Sequence, residues 1–482
     1  MDCRVGDDWL VDSLIRYENI WMYGLQDSSK CLSWMSDKEL LVASFHGGDS
    51  GRKNEIVELV VGDTLLASTI QHQDKQMAGA RRDFSVQRGH FTKKPVHHMA
   101  TFPHLRTFVT SGCPSGGVNV WTAEEKKPTA DQCPGKSSLC VSQSGVPLLS
   151  SAPSSTRLLV SRTDGDSVVV DVTTGQQTWS QDSSQTKQVG GGGELLSSLG
   201  WTDSDHTFFT CQLRSGLVST VDTRQKSSCA LSIVPAPCCS NQPSSASDNA
   251  VTGNDAALAE QHCGMAGSQS SAADIADTPP SSAMCAEMHR KHGATCTGSD
   301  RGLIASCCGC GCVQVSDMRQ TKHQQPLALH DLSPCLIRLN QQAAGHETMD
   351  GWEHSTGTAA RVHCTTDHRT SNIQLQFSPT APDLLSVSGL DSGVHVLSVK
   401  QLCSQASQTQ SGSSTTPSSS TSVFTHDGHL ANADLETVSP SSPLVVLQHS
   451  WHPTEKNLLF SAASDGSLHA WQPRLPEGMC SS

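Results

Sequence analysis

Four thiols fall within six positions at Cys307-Cys308-Gly309-Cys310-Gly311-Cys312, with His292 and Cys296 shortly upstream. Thiolate and imidazole are the ligands of structural zinc, which makes Cys307, Cys308, Cys310 and Cys312 the metal candidates of this chain. Their spacing argues for another role. The residues after Gly311 alternate as a strand does, which sends neighbouring thiols to opposite faces, and paired C-x-x-C knuckles are missing. Small-residue packing is expected there, with no metal and no cofactor required.

Other segments carry fragments of catalytic patterns. Ala130 to Ser137, ADQCPGKS, satisfies a permissive nucleotide-loop pattern, but the charged EEKKPTADQ stretch stands where a buried strand would have to lead into it. Gly48-Asp49-Ser50-Gly51 resembles a serine-protease nucleophile segment, yet only His46 lies upstream as a base, and a turn is expected. His97-His98 and the pair His449 and His452 lack the carboxylate or spacing of a metal triad or general base. The protein is therefore expected not to be an enzyme.

One pair of segments could serve recognition. Val221-Asp222-Thr223-Arg224 and Ser316-Asp317-Met318-Arg319 both end in Asp-x-Arg followed by Gln. This resembles the Trp-Asp-x-Arg box of WD-repeat substrate receptors that dock on the adaptor of cullin-RING ubiquitin ligases, with the Trp absent from both. Arg224 and Arg319 are the partner-binding candidates of that alternative, while a local pair with a carboxylate explains the same arginines.

The elements that must position these residues are repeats. Residues 377 to 397 align without a gap on residues 451 to 471, bringing Pro379 onto Pro453, Asp391 onto Asp465 and His395 onto His469. Each unit reads as an aromatic-x-Pro turn, a short apolar strand, a tight Asp/Gly/Ser turn and a second, alternating strand. That is half of a propeller blade. Similar strand endings recur at Val118–Trp121, Val168–Asp171, Val218–Asp222 and Val313–Asp317, with a looser one at Glu55–Leu59. Seven endings predict an all-β, seven-bladed WD-repeat propeller.

The chain stops soon after Trp471, while an extra strand-like segment, Glu18 to Leu25, precedes the first complete unit. An N-terminal strand closing the last blade would remove its open edge. Before it, Asp7 or Asp8 is expected to cap a short helix whose Leu10, Val11, Leu14 and Ile15 share one face. Trp34, Trp121 and Trp471 are expected in blade cores. The organisation read from these signals is an N-terminal segment over 1–16 and a propeller over 17–476. Two long Ser-rich inserts, 236–292 and 403–422, interrupt the propeller and are expected to be disordered. Shorter loop inserts are expected near 64–80, 123–145 and 181–193.

Composition limits the partners. Among 482 residues, 33 Lys and Arg stand against 46 Asp and Glu, a net charge of -13, which disfavours direct binding of nucleic acid, anionic lipid or the acidic tails of tubulin. The N-terminus lacks a basic segment followed by an apolar run, no stretch approaches a membrane span, and no Asn-x-Ser/Thr acceptor occurs. Twenty cysteines in such a chain imply a reducing compartment and buried thiols. A cytosolic or nuclear protein is expected.

The segments GDDWLVDSL (6–14), KNEI (53–56), RDFSVQRGHF (82–91), ELLSSL (194–199), VDTRQK (221–226), FTHDGHL (424–430), WHP (451–453) and SLHAW (467–471) resemble the WD repeat-containing protein 73 family of WD-repeat β-propellers. The resemblance spans the propeller and leaves out the Ser-rich inserts. It implies a cytoplasmic, protein-binding scaffold linked to spindle poles, the cleavage furrow and microtubule organisation. It also implies an assembly factor that holds the RNA endonuclease subunits of the Integrator complex before nuclear entry. The implied partners are proteins, with spindle association indirect, and the family supplies no catalytic residue to carry over. The alternatives are the ubiquitin-ligase receptor and a direct microtubule-associated protein.

Overall fold

A computed structural model describes residues 4–25, 27–45, 54–62, 65, 83–92, 95–112, 118–122, 137–139, 147–161, 167–181, 196–202, 204–212, 218–225, 231–233, 293–298, 303–308, 312–317, 328–331, 373–403, 422–429 and 444–476. Helix α1 (Arg4–Arg16) runs straight into β1 (Tyr17–Gly24). The strands that follow form antiparallel sheets in chain order. Sheet 1 holds β2 (Ser28–Trp34), β3 (Glu39–Phe45), β4 (Asn54–Val61) and β5 (Phe84–Thr92). Sheet 2 holds β6 (Val96–Phe102), β7 (Thr107–Gly112), β8 (Val118–Thr122) and β9 (Ser137–Leu139). Sheet 3 holds β10 (Leu148–Ser151), β11 (Arg157–Ser161), β12 (Ser167–Asp171) and β13 (Gln177–Ser180). Sheet 4 holds β14 (Leu196–Trp201), β15 (Thr207–Gln212), β16 (Val218–Asp222) and β17 (Leu231–Ile233).

Sheet 5 holds β18 (Gly293–Gly298), β19 (Leu303–Cys308), β20 (Cys312–Asp317) and β21 (Ala328–Asp331). Sheet 6 holds β22 (Gln374–Phe377), β23 (Leu384–Ser388), β24 (Val394–Ser398) and β25 (Ser422–His426). Sheet 7 holds β26 (Val446–Trp451), β27 (Leu459–Ala463) and β28 (Ser467–Pro473), with β1 hydrogen-bonded along β28 as its fourth strand. Each sheet's first strand contacts the first strand of the next, and β26 contacts β2. The architecture is an all-β propeller.

Its core lies between sheets. Leu41 and Ile56 of sheet 1 pack on Phe108 and Trp121 of sheet 2, and Leu159 and Val169 of sheet 3 pack on Phe208 and Val221 of sheet 4. Leu40 and Leu59 of sheet 1 in turn meet Phe460 and Leu468 of sheet 7. Both faces of an inner strand are thus covered, so β23 and β27 are buried at every residue rather than alternately. The tight turn between β27 and β28 needs Gly466, which sits at φ +85°. A Cβ there would also come 2.9 Å from the Leu25 carbonyl oxygen.

Three expectations need correction or lie elsewhere. Helix α1 begins at Arg4, so Asp7 and Asp8 fall within its length instead of capping it. Ser137–Leu139, inside the expected loop 123–145, pairs with β8 as β9; three residues between polar flanks carry too little pattern to be read as a strand. Insert 236–292, and all of 403–422 except its two end residues, lie outside the described residues. Among the described residues no helix is long and apolar enough to cross a membrane.

Candidate functional site

Two polar regions lie inside the propeller. The first is an axial cavity of roughly 300 Å³ between the first strands of the sheets, bordered by Leu32, His98, Ser198, Gln374, Gln448 and Ser450 among others. Among the described residues no Asp, Glu, Lys or Arg lines it. Burial, and next the neighbouring His97, push the His98 pKa down to about 4, so its imidazole is neutral at physiological pH. Walls of neutral amide, hydroxyl and imidazole can hydrogen-bond, but they offer no field for a phosphate or a metal ion.

The second region is a histidine cluster where β1 meets sheets 6 and 7. The Trp471 indole N–H can only donate, and the Ser461 hydroxyl accepts it at 3.1 Å. At the far end the Asp465 carboxylate accepts the Ser467 hydroxyl at 2.6 Å. His429 bridges the two serines, with Nε2 2.9 Å from Ser461 Oγ and Nδ1 2.6 Å from Ser467 Oγ. The two ends assign the direction: Ser461 donates to Nε2, and the Nδ1 proton goes to Ser467. A neutral His429 therefore completes a one-way chain from indole to carboxylate.

A second chain shares the same space. The Tyr17 hydroxyl lies 2.8 Å from His426 Nδ1, and His426 Nε2 lies 3.1 Å from His469 Nδ1. The His469 ring stacks on His429 with centroids 3.9 Å apart, and the His426 ring on Trp471 at 4.5 Å. Burial pushes His429 down to about 3; burial and then His429 push His469 down to about 2; burial, followed by the other two imidazoles and Arg16, holds His426 well below its ordinary range. Burial raises the Tyr17 pKa, so its hydroxyl stays a donor.

Around this cluster the N-terminus is fastened. Trp9 Nε1 donates to Asp427 at 3.0 Å, Arg16 pairs with Asp427 at 3.2 Å and also donates to the Thr425 carbonyl, and its guanidinium lies 5.4 Å from the centre of the Phe424 ring. Gly428 leaves the space for this approach, because a Cβ would meet His426 Cε1 at 2.7 Å and the Trp9 ring at 3.0 Å.

The chemistry open to the cluster follows from its lone pairs. His426, His429 and His469 bring one nitrogen each within 4.8 Å of the others, a spacing that could hold a metal ion. Both His429 nitrogens are engaged by serines, however, and the other two rings face each other across a hydrogen bond. The donor set fits a proton-ordered network, not a metal centre. A serine–histidine pair also occurs nearby, with Ser386 Oγ 2.7 Å from His449 Nε2. Its third member is Ser388 on Nδ1, and Trp451 Nε1 donates to Ser386 at 2.8 Å. No carboxylate orients the imidazole, and the buried Oγ has no open approach, so the pair lacks the parts of an activated nucleophile.

The sequence-level candidates fall apart in space. Cys307 is a buried cysteine of β19 that forms no disulfide; the side chains of Cys308, Cys310 and Cys312 lie outside the described residues. Arg224 is exposed and forks onto its own Asp222 at 2.9 and 2.7 Å, which holds that carboxyl down to about 2, while Arg319 lies outside the described residues. Of ADQCPGKS only Ser137 is described, and Gly48–Gly51 is not. Both His449 nitrogens are engaged by serines, whereas His452 Nδ1 accepts the backbone N–H groups of Thr454 and Glu455 and its buried Nε2 is left without a hydrogen-bond partner. Sequence reasoning missed the cluster itself. Its signal was His426 and His429 three apart around Gly428, but His469 lies forty positions on and only strand pairing brings it in.

No family model matches the chain. Over 97% of its length it is similar to the Integrator complex assembly factor WDR73 of zebrafish (Danio rerio), at 25% identity and with 96% of that protein covered. It is 26% identical to the human (Homo sapiens) protein of the same name over 97% of each chain, and 26% identical to the mouse (Mus musculus) protein over 97% of this chain and 98% of the relative. These end-to-end matches agree with the resemblance read from the eight segments.

Proposed function

We propose that this protein is a non-enzymatic, protein-binding scaffold that acts as an assembly factor for the Integrator complex. The observation that carries the reading is similarity along nearly the whole chain to proteins named for that role. A propeller supports it, since several loop-bearing faces on one rigid frame suit holding a partner that is incomplete alone. The clients are the RNA endonuclease subunits of that complex, held in the cytoplasm. Links to spindle poles, the cleavage furrow and microtubules are indirect, because a net charge of -13 opposes acidic tubulin tails. The working unit is residues 17–476, a seven-bladed ring for which the N-terminal strand is the clasp, with 1–16 as an appended segment that carries α1.

Affinity purification from dividing cells tests this. Integrator endonuclease subunits should be enriched equally by the wild type and by Arg224→Ala with Arg319→Ala. Recovery of a cullin adaptor that the double variant loses would replace the scaffold with a ligase receptor. Absence of Integrator subunits, with the purified protein co-sedimenting with microtubules at physiological salt, would overturn the reading.

A further inference from the structure

Helix α1 is fastened on one side only. Trp9, Ser13 and Arg16, three and four residues apart, face the propeller; Trp9 and Arg16 hold Asp427, and Ser13 is buried. On the other side Val11, Leu14 and Ile15 stand 61%, 73% and 68% exposed. They make up half of the large hydrophobic side chains exposed among the described residues, gathered on about one turn of helix. The anchoring of α1 does not use them. A contiguous apolar patch on an otherwise well-held element marks an interaction site.

The border of the patch is acidic. Asp12 and Glu18 are exposed beside it. Among the described residues Arg16 is turned to Asp427, and Arg474, whose backbone N–H donates to the Arg16 carbonyl, is an exposed cation at the end of the helix. We propose that the exposed face of α1 is a docking surface for an amphipathic segment of a protein partner, apolar along one side and bordered by Lys or Arg. The proposal deepens the scaffold reading and rests on it. A protein segment suits the surface better than a membrane, because anionic headgroups would meet the same carboxylates that attract a basic peptide.

The probe is a helical peptide with one leucine face bordered by lysines, titrated against the full-length protein by fluorescence anisotropy at physiological salt. Saturable binding is expected. Leu14→Glu with Ile15→Glu should weaken it at least about tenfold at an unchanged melting temperature, since both side chains are mostly in solvent. Asp12→Lys with Glu18→Lys should weaken it several-fold and remove the gain in affinity at low salt. Val86→Glu, exposed on β5, should leave it unchanged. Equal binding by the Leu14/Ile15 variant, or no saturable binding by the wild type, overturns the docking surface. So does capture by phosphatidylcholine vesicles in preference to the peptide. If cells yield Integrator subunits equally with wild type and the Leu14/Ile15 variant, the surface is wrong and the assembly role stands. If the wild type recovers none, the assembly role fails while the titration still decides the surface.

Discussion

Sheets 2 and 7 are built on the same skeleton and finished differently. In sheet 2 Trp121 of β8 donates to Thr110 of β7 at 2.9 Å; in sheet 7 Trp471 of β28 donates to Ser461 of β27 at 3.1 Å. A histidine that follows a glycine belongs to each arrangement: His90, after Gly89, packs on Trp121, and His429, after Gly428, meets the Ser461 hydroxyl that accepts from Trp471. Beyond that point they part. His429 continues through Ser467 to Asp465, whereas His90 packs against Phe108 and Trp121 with its Nε2 buried and lacking a hydrogen-bond partner. The β27–β28 turn supplies Asp465, whereas the sequence that joins β7 to β8, Cys113-Pro114-Ser115-Gly116-Gly117, contains no Asp or Glu. A buried polar chain stabilises only when both ends are satisfied, so an imidazole packed on the neighbouring sheet is an asset against sheet 7 and a cost against sheet 2.

The sharpest way to break the comparison is to remove residues 1–24. Sheet 7 would lose β1, and His426 its Tyr17 partner, exposing an edge while sheet 2 stays intact. We expect a single cooperative loss of the whole fold, seen as a melting temperature lower by more than about 10 °C. An unchanged melt, or two separate transitions, would contradict the clasp.

Acid should act next most strongly, again through sheets 6 and 7. His426, His429, His449, His452 and His469 all have folded pKa values below the ordinary 6.5, with burial the leading cause. Between the folded values and 6.5 only the unfolded chain takes up protons, so stability is full above about pH 6.5 and falls as pH drops. At pH 5.5 each imidazole costs up to about 1.4 kcal/mol, a combined loss comparable with the whole stability of an ordinary domain. Melting followed from pH 7.5 to 5 should show the steepest decline below 6.5. A flat profile would mean the cluster is not buried and neutral.

A paired substitution separates the two sheets directly. His429→Leu leaves Ser461 and Ser467 without their shared partner and should cost about 2–4 kcal/mol by chemical denaturation. His90→Leu removes a buried unpaired nitrogen and should lie within about 1 kcal/mol of wild type, on either side. Equal losses at the two sites would erase the distinction. The smallest effect is expected at the rim, where Arg16 and Asp427 are about one-third exposed. Asp427→Ala should cost about 1 kcal/mol, with the ion pair itself contributing little and most of the loss coming from the Trp9 and Arg16 hydrogen bonds.

The propeller was legible in the sequence because each blade repeats a local pattern. The alignment of 377–397 on 451–471 fixed strand, turn and strand, and Asp465-Gly466 announced its own tight turn. Strand β9 was not legible, since its partner β8 and not its own composition makes it a strand. Likewise the apolar face of α1 was visible at 3.6-residue spacing, but its exposure was not, because Trp9 and Arg16 decide which side turns inward.

By itself the sequence determined the fold class, the repeat and the acidic character, all of which depend on spacing and composition that survive without contacts. Tertiary structure alone decided the histidine cluster. Tyr17, His426, His429 and His469 come from the N-terminal strand, the end of sheet 6 and the last sheet strand, and no local pattern links Tyr17 to a residue 409 positions away. Pairing of β1 with β28 brings them together, removal of water keeps the imidazoles neutral, and the serine, indole and carboxylate around His429 fix its proton in one direction. Whether a histidine is a ligand, a base or a buried strut depends on what occupies its second nitrogen. That is a property of the packed neighbourhood, not of the chain.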